Sequence, residues 1–107
     1  MTKPPSTLSK AEQDLWREIL RQFPVEDAHE LKILETGLMA HDRAEQCRQK
    51  IDREGLTVLD RFGQSRPHPL LSCERDNRAL FLSAVRQLGF DLEPLNARPG
   101  RPSGGKK

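Results

Sequence analysis

At 107 residues the chain is sized for one small domain with a modest core. With 35% hydrophobic and 32% charged residues, it is polar for a globule standing alone, and small polar helical chains of this kind complete their cores by association. No run of about eighteen apolar residues and no apolar signal-peptide core follow Met1, so the expectation is a soluble, cytosolic protein. The net charge of +2 is uneven: residues 96–107 hold Arg98, Arg101, Lys106 and Lys107 and no acid, which leaves residues 1–95 at −2. A near-neutral body with a basic end suits an adapter carrying a nucleic-acid arm.

In chain order, MTKPPST has two prolines and no apolar periodicity, and residues 1–8 are expected to form a disordered leader. A helix is predicted over 9–23. Ser9 and Glu12 have capping-box spacing, Leu15, Trp16, Ile19, Leu20 and Phe23 share a face, and Pro24 stops the run. Lys10, Arg17 and Arg21 align on the opposite face, diluted by Asp14 and Glu18. A long helix is predicted over 27–54, opened by Asp27 and Glu30 at the same spacing and closed by Gly55 as a left-handed C′ residue. It carries two apolar stripes. Ile33, Gly37, Ala40, Ala44, Cys47 and Ile51 repeat at four-three spacing, and Leu31, Leu34 and Leu38 form a patch roughly 100–160° around the axis. Small residues in the long stripe admit a close neighbour: either another subunit, which makes the stripe an interface, or helices one and three of the same chain.

Residues 56–66 read as a short β-hairpin, with turn chemistry from Asp60 to Gly63 and a return strand over Gln64–Arg66. Pro67 and Pro69 end it and introduce a last helix over 69–88, with Gly89 after it. Leu70, Phe81, Val85 and Leu88 mark its buried face, widened by Leu71 and Leu82, with Glu74 and Arg78 placed for a partly buried ion pair. The fold class is therefore mainly α: one helical domain over 9–94 as the oligomerisation core, then a flexible basic tail over 95–107.

Catalytic chemistry is not in view. His29, His41 and His68 are scattered, no His-Glu-x-x-His or paired-cysteine spacing suggests a metal, and no glycine-rich phosphate cradle follows a strand, so neither metal nor cofactor is expected. Cys47 and Cys73 lack Cys-x-x-Cys spacing and read as structural thiols rather than a disulfide. Cys47 and His41, six apart on one helix, cannot touch locally.

Three basic surfaces are candidates for DNA. The tail has RPGRP at 98–102, half of a minor-groove hook in which Pro99 takes the place of the first arginine; it reads either as a groove-seeking arm or as a solubilising end. Lys106 and Lys107 add phosphate attraction. The Lys10, Arg17 and Arg21 face is either a solvated helix surface or a contact. Arg61 and Arg66, flanking the turn, either grip a backbone or seat an acidic neighbour.

The segments LSKAEQDLWREIL, LKILETGLMAHDRAEQCRQKIDREGLTV and FGQSRPHPLLSCERDNRALFLSAVRQLGFDLEP, with a closing GRP, resemble in order the small subunits of phage terminases of the P27 family. The matching features are Gly55 to Val58, Gly63, His68-Pro69 and Leu88-Gly89, and the likeness covers roughly residues 8–102. The basic, glycine-rich leader common in such proteins is reduced here to MTKPPST. The resemblance implies a non-enzymatic, ring-forming homo-oligomer that binds double-stranded viral DNA near its packaging start. It would deliver that DNA to the large ATPase and nuclease subunit in the cytoplasm of the infected bacterial host, with an HNH endonuclease as a further partner and no membrane involved. The alternative is a small dimeric helical regulator or antitoxin-like DNA binder, although the second helix is far too long for a recognition helix.

Overall fold

A computed structural model describes residues 2–90. The chain is mainly helical: α1 (Lys10–Gln22), α2 (Ala28–Glu54), a two-stranded antiparallel hairpin of β1 (Thr57–Leu59) and β2 (Ser65–Pro67), and α3 (Leu70–Gln87). These bounds fall within a residue or two of those expected. The basic tail, with Arg98, Arg101, Lys106 and Lys107, lies outside the described residues.

α1 forms where its apolar residues fall at helical spacing behind a serine cap. The Glu12 N–H donates to Ser9 Oγ at 3.4 Å. The reciprocal half of the expected capping box is not made. Glu12 instead turns inward, 3% exposed, and accepts from His41 Nδ1 of α2 at 2.8 Å. Its other oxygen, Oε1, is buried with no hydrogen-bond partner among the described residues. Asp27 likewise makes no side-chain cap bond at the start of α2. The leader also departs from expectation. Leu8 is buried in the core, the Trp16 indole N–H donates to the Thr2 carbonyl at 3.1 Å, and the Thr7 hydroxyl donates to Glu35 at 2.8 Å. Residues 2–8 thus lie against α1 and α2 because Trp16, 2% exposed, brings a polar N–H into the interior that must find an acceptor.

α2 is the spine, and each of its stripes is covered from within the chain. Leu34 and Leu38 meet Leu8, Trp16 and Leu20 in the main core. Phe81 and Val85 of α3, with Leu88 at its C-cap, pack against that core. Along the second stripe Gly37, Ala40, Ala44, Cys47 and Ile51 are buried, and α3 lies over them as the most extensive helix partner of α2. At Gly37 a Cβ would stand 2.6 Å from Ala84 Cβ, so the missing side chain is what lets the two backbones approach. Of the two occupants open to this stripe, a neighbouring subunit or helices of the same chain, it is α3 of the same chain that lies over it in place of the subunit interface, and Ile33, half-buried at one end, is the only member of the stripe not buried. Arg78 of α3 ties the pair at its edge, reaching Glu45 of α2 and Glu74 of its own helix, each at 3.2 Å.

Both ends of α3 are built by particular residues. Its C-terminus is a Schellman motif: the Phe90 N–H donates to the Val85 carbonyl at 3.2 Å and the Gly89 N–H to the Arg86 carbonyl at 3.0 Å, with Gly89 at φ 72°. That reversal stacks Phe90 on Phe23, the C-cap of α1, with ring centroids 4.6 Å apart. Its N-terminus is set by His68, discussed next. Leu82, expected to widen the buried face of α3, remains 47% exposed.

Candidate DNA-binding and subunit-docking surfaces

The α1 cations are largely neutralised by their own helix. Lys10 and Arg17 both pair with Asp14, at 3.3 and 3.1 Å, and Arg21 pairs with Glu18. Hydrogen bonding from Arg21, then from Gln22, holds the Glu18 carboxyl below the usual range, and Glu18 in turn raises Arg21. With two carboxylates shared among the three cations at i,i+3 and i,i+4, the face is a solvated helix surface with little net field for a phosphate backbone.

The hairpin differs. Strand pairing sets Thr57 opposite Pro67, Val58 opposite Arg66 and Leu59 opposite Ser65. Asp60 organises the turn: its Oδ1 accepts from the Phe62 and Gln64 N–H groups at 2.8 and 2.9 Å, and Oδ2 accepts from Arg66 Nε at 3.0 Å. The Gln64 N–H and then Arg66 hold the Asp60 carboxyl below its ordinary value. Gly63, at φ 77°, completes the reversal. Arg66 is therefore committed within the turn. Arg61 instead lies over the Phe62 ring at 5.0 Å and pairs with no carboxylate among the described residues. Around it Leu56, Leu59 and Phe62 are 67%, 73% and 73% exposed. Three large apolar side chains in seven residues of a tight hairpin gain almost nothing from their own fold.

His68 holds this hairpin in place. It is 3% exposed. Its backbone N–H donates to the Leu56 carbonyl at 2.7 Å, its Nδ1 accepts from the Leu70 N–H at 3.0 Å, and its Nε2 lies 2.8 Å from Glu54 Oε1. Because Nδ1 accepts, the proton sits on Nε2 and is donated to Glu54. One residue thus closes the hairpin through its backbone, and through its side chain caps α3 and ties it to the end of α2. Lys50 and then His68 hold the Glu54 carboxyl below its usual value. His-Pro at 68–69 stood out in the sequence as a motif, but its role follows only from this geometry.

Two grooves flank the helices. One, about 410 Å³, lies between α2 and α3 beside Ile33, Leu80 and Ala84, with His29 and Lys32 on its rim. The other, about 260 Å³, lies between α1 and α3, lined by Leu15, Ile19, Phe23, Phe81, Leu82 and Val85 with Glu18 at its edge.

The thiols meet across α2 and α3. Cys47 is buried, and burial first, then the neighbouring Cys73, pushes the Cys47 thiol up; both cysteines are free. A thiol so placed is protonated and inert. Asp27, His29 and Glu30 bring ligand atoms within 4.8 Å of one another at the start of α2, but Asp27 and His29 are exposed, and acidic groups at a helix start are favoured by the helix dipole alone. Among the described residues, no helix is long and apolar enough to cross a membrane. Compared with known families, curated proteins and solved structures, the chain matches none.

Proposed function

We propose that the chain is the DNA-recognition small subunit of a bacteriophage terminase: a non-catalytic, ring-forming protein of the host cytoplasm that binds double-stranded viral DNA and hands it to the large ATPase and nuclease subunit, with an HNH endonuclease as a further partner. One observation carries the reading. The cations of α1 are paired within their own helix, whereas residues 96–107 hold four basic residues and no acid. A charge-balanced helical scaffold with its cationic excess at one end suits a protein that presents a DNA arm, and many such arms on one assembly raise affinity through effective concentration. The order of motifs shared with phage terminase small subunits supports the same reading.

The test is a salt titration of binding to a fluorescent duplex by the full chain and by a chain ending at Leu95. The full chain should lose affinity with a log–log slope of about −3 to −4 per engaged tail, since each neutralised phosphate contributes about −0.9. The shortened chain should lose most of its binding. Undiminished binding by the shortened chain would move the DNA contact to Lys10, Arg17 and Arg21 or to Arg61 and Arg66. No binding by the full chain would overturn the reading.

A further inference from the structure

We infer that the hairpin of one copy docks into the α1–α3 groove of a second copy, head to tail, with Phe62 as the anchor. This deepens the assembly part of the proposed function and rests on that reading. Three observations lead to it. The hairpin presents Leu56, Leu59 and Phe62 largely to solvent, yet Asp60 and His68 hold its backbone rigid, so it is a preformed apolar projection whose docking orders little new chain. The groove between α1 and α3 has about 260 Å³ of space and an almost wholly apolar wall of Leu15, Ile19, Phe23, Phe81, Leu82 and Val85. That is room for one aromatic side chain, and the stacked Phe23 and Phe90 rings offer it aromatic neighbours.

The lining selects between the two grooves. The α1–α3 groove is walled mostly by Leu15, Ile19, Phe23, Phe81, Leu82 and Val85, whereas the α2–α3 groove is lined also by His29, Lys32, Thr36, Ser83 and Gln87. The apolar ring of Phe62 is the better match to the first, since polar groups in the second would lose water without gaining a partner.

Position makes the contact intermolecular. The groove sits beside Leu34 and Leu38, and the hairpin begins after Gly55, about 25–30 Å further along α2 at the usual helical rise. Phe62 is 73% exposed, so it is not seated in the groove of its own chain. A projection and a receptor at opposite ends of one spine make a heterologous interface, which closes into a ring or propagates as a filament. One docked hairpin is a small interface, at the low end of the specific range. Ring closure compensates, because the last contact forms within one assembly.

The test uses two full-length variants, Phe62→Asp to disable the projection and Leu82→Glu to disable the groove, measured by native mass spectrometry alone and mixed. Both sites are exposed, and circular dichroism with a urea midpoint establishes that each variant folds. Each variant alone should lose assembly, its association weakened by about thirtyfold or more, as for an aromatic hot spot. An equimolar mixture should form one-to-one pairs and nothing larger, since only one productive contact remains. Assembly of Phe62→Asp like the unaltered chain would overturn the docking while leaving the ring reading intact. Loss in Phe62→Asp with full assembly in Leu82→Glu would overturn it in favour of hairpin-to-hairpin contact. A full chain that stays monomeric while one ending at Phe90 assembles would show that residues 91–107 cover the groove, and would also overturn it. A full chain that is monomeric in every form would overturn both the docking and the ring.

Discussion

The junction of the three helices and the hairpin after α2 use the same kinds of residue to opposite ends. At the junction Trp16, Leu34 and Leu38 are at most 2% exposed, in one cluster with Leu8, Leu20 and Phe90. In the hairpin Leu56, Leu59 and Phe62 are two-thirds exposed or more, and order comes from polar groups, Asp60 in the turn and His68 beneath it. Apolar burial therefore stabilises the body, while hydrogen bonds shape a projection whose apolar surface faces solvent. The contrast separates residues that maintain the fold from residues the fold leaves exposed.

The sharpest way to break that contrast is to truncate one aromatic in each region. Trp16→Ala should cost about 3–5 kcal/mol, the range for a fully buried large side chain, and should also release the leader by removing the donor to Thr2. Phe62→Ala should change stability by no more than about 0.5 kcal/mol, as a surface substitution. Urea unfolding of the two side by side measures the difference. Equal losses would mean that the hairpin belongs to the core.

Gly37→Ala opposes two effects of known size. Alanine in a helix interior is favoured over glycine by about 1 kcal/mol. The new Cβ, however, would stand 2.6 Å from Ala84 Cβ, and overpacking at such a contact costs about 1–3 kcal/mol. The close approach should win, with a net loss of about 1 kcal/mol or more and a larger one for Gly37→Leu. A gain in stability would mean that α2 and α3 lie further apart than described.

His68→Ala should cost about 1–2 kcal/mol by removing the acceptor for the Leu70 N–H, comparable with loss of a helix cap. Its more telling effect is on hydrogen exchange. The hairpin amides should exchange faster while amides at the junction change little, because His68 is the link between the two regions.

Acid should weaken the molecule modestly. Glu35 is held below its ordinary value by the Thr7 hydroxyl and then Lys32, and Glu45 by Arg48 and then Arg78. Glu54 and Asp60 are lowered as described. Groups with depressed folded pKa values contribute stability above their unfolded values and lose it as pH falls through the folded ones. The urea midpoint should therefore fall once pH drops below the ordinary glutamate value of 4.5, with the Asp60 share lost below 3.8. Because the four carboxylates are solvent-screened, the fall should be shallow and should flatten further in high salt. A midpoint that rises in acid would contradict the pairing.

Much of this fold was legible because strong periodicity and clear punctuation agree. Ser9, Gly55, Gly63, Pro69 and Gly89 mark boundaries that the structure keeps. What periodicity could not say was which partner each stripe of α2 meets, since small residues admit a close helix whether it comes from the same chain or another. Ala84, the residue opposite Gly37, gave no signal of its own. Glu12 was misread for a related reason: capping spacing describes what a side chain can reach locally, whereas burial beside His41 is a tertiary preference. Of the candidate surfaces, the arginines of the hairpin were visible in the sequence, but the exposure of Leu56, Leu59 and Phe62 was not, because a short apolar run such as Leu56 to Leu59 ordinarily faces a core. Nor does spacing reveal that Cys47 and Cys73 meet, which depends on how α3 is laid along α2.

On the proposed reading, this scaffold works as an assembly of identical subunits that engages DNA. Native mass spectrometry of the full chain, over a range of concentration and salt, should then show a closed species of many identical subunits with one dominant stoichiometry. A monomer or dimer under all conditions would contradict it, and would favour a small DNA-binding regulator instead.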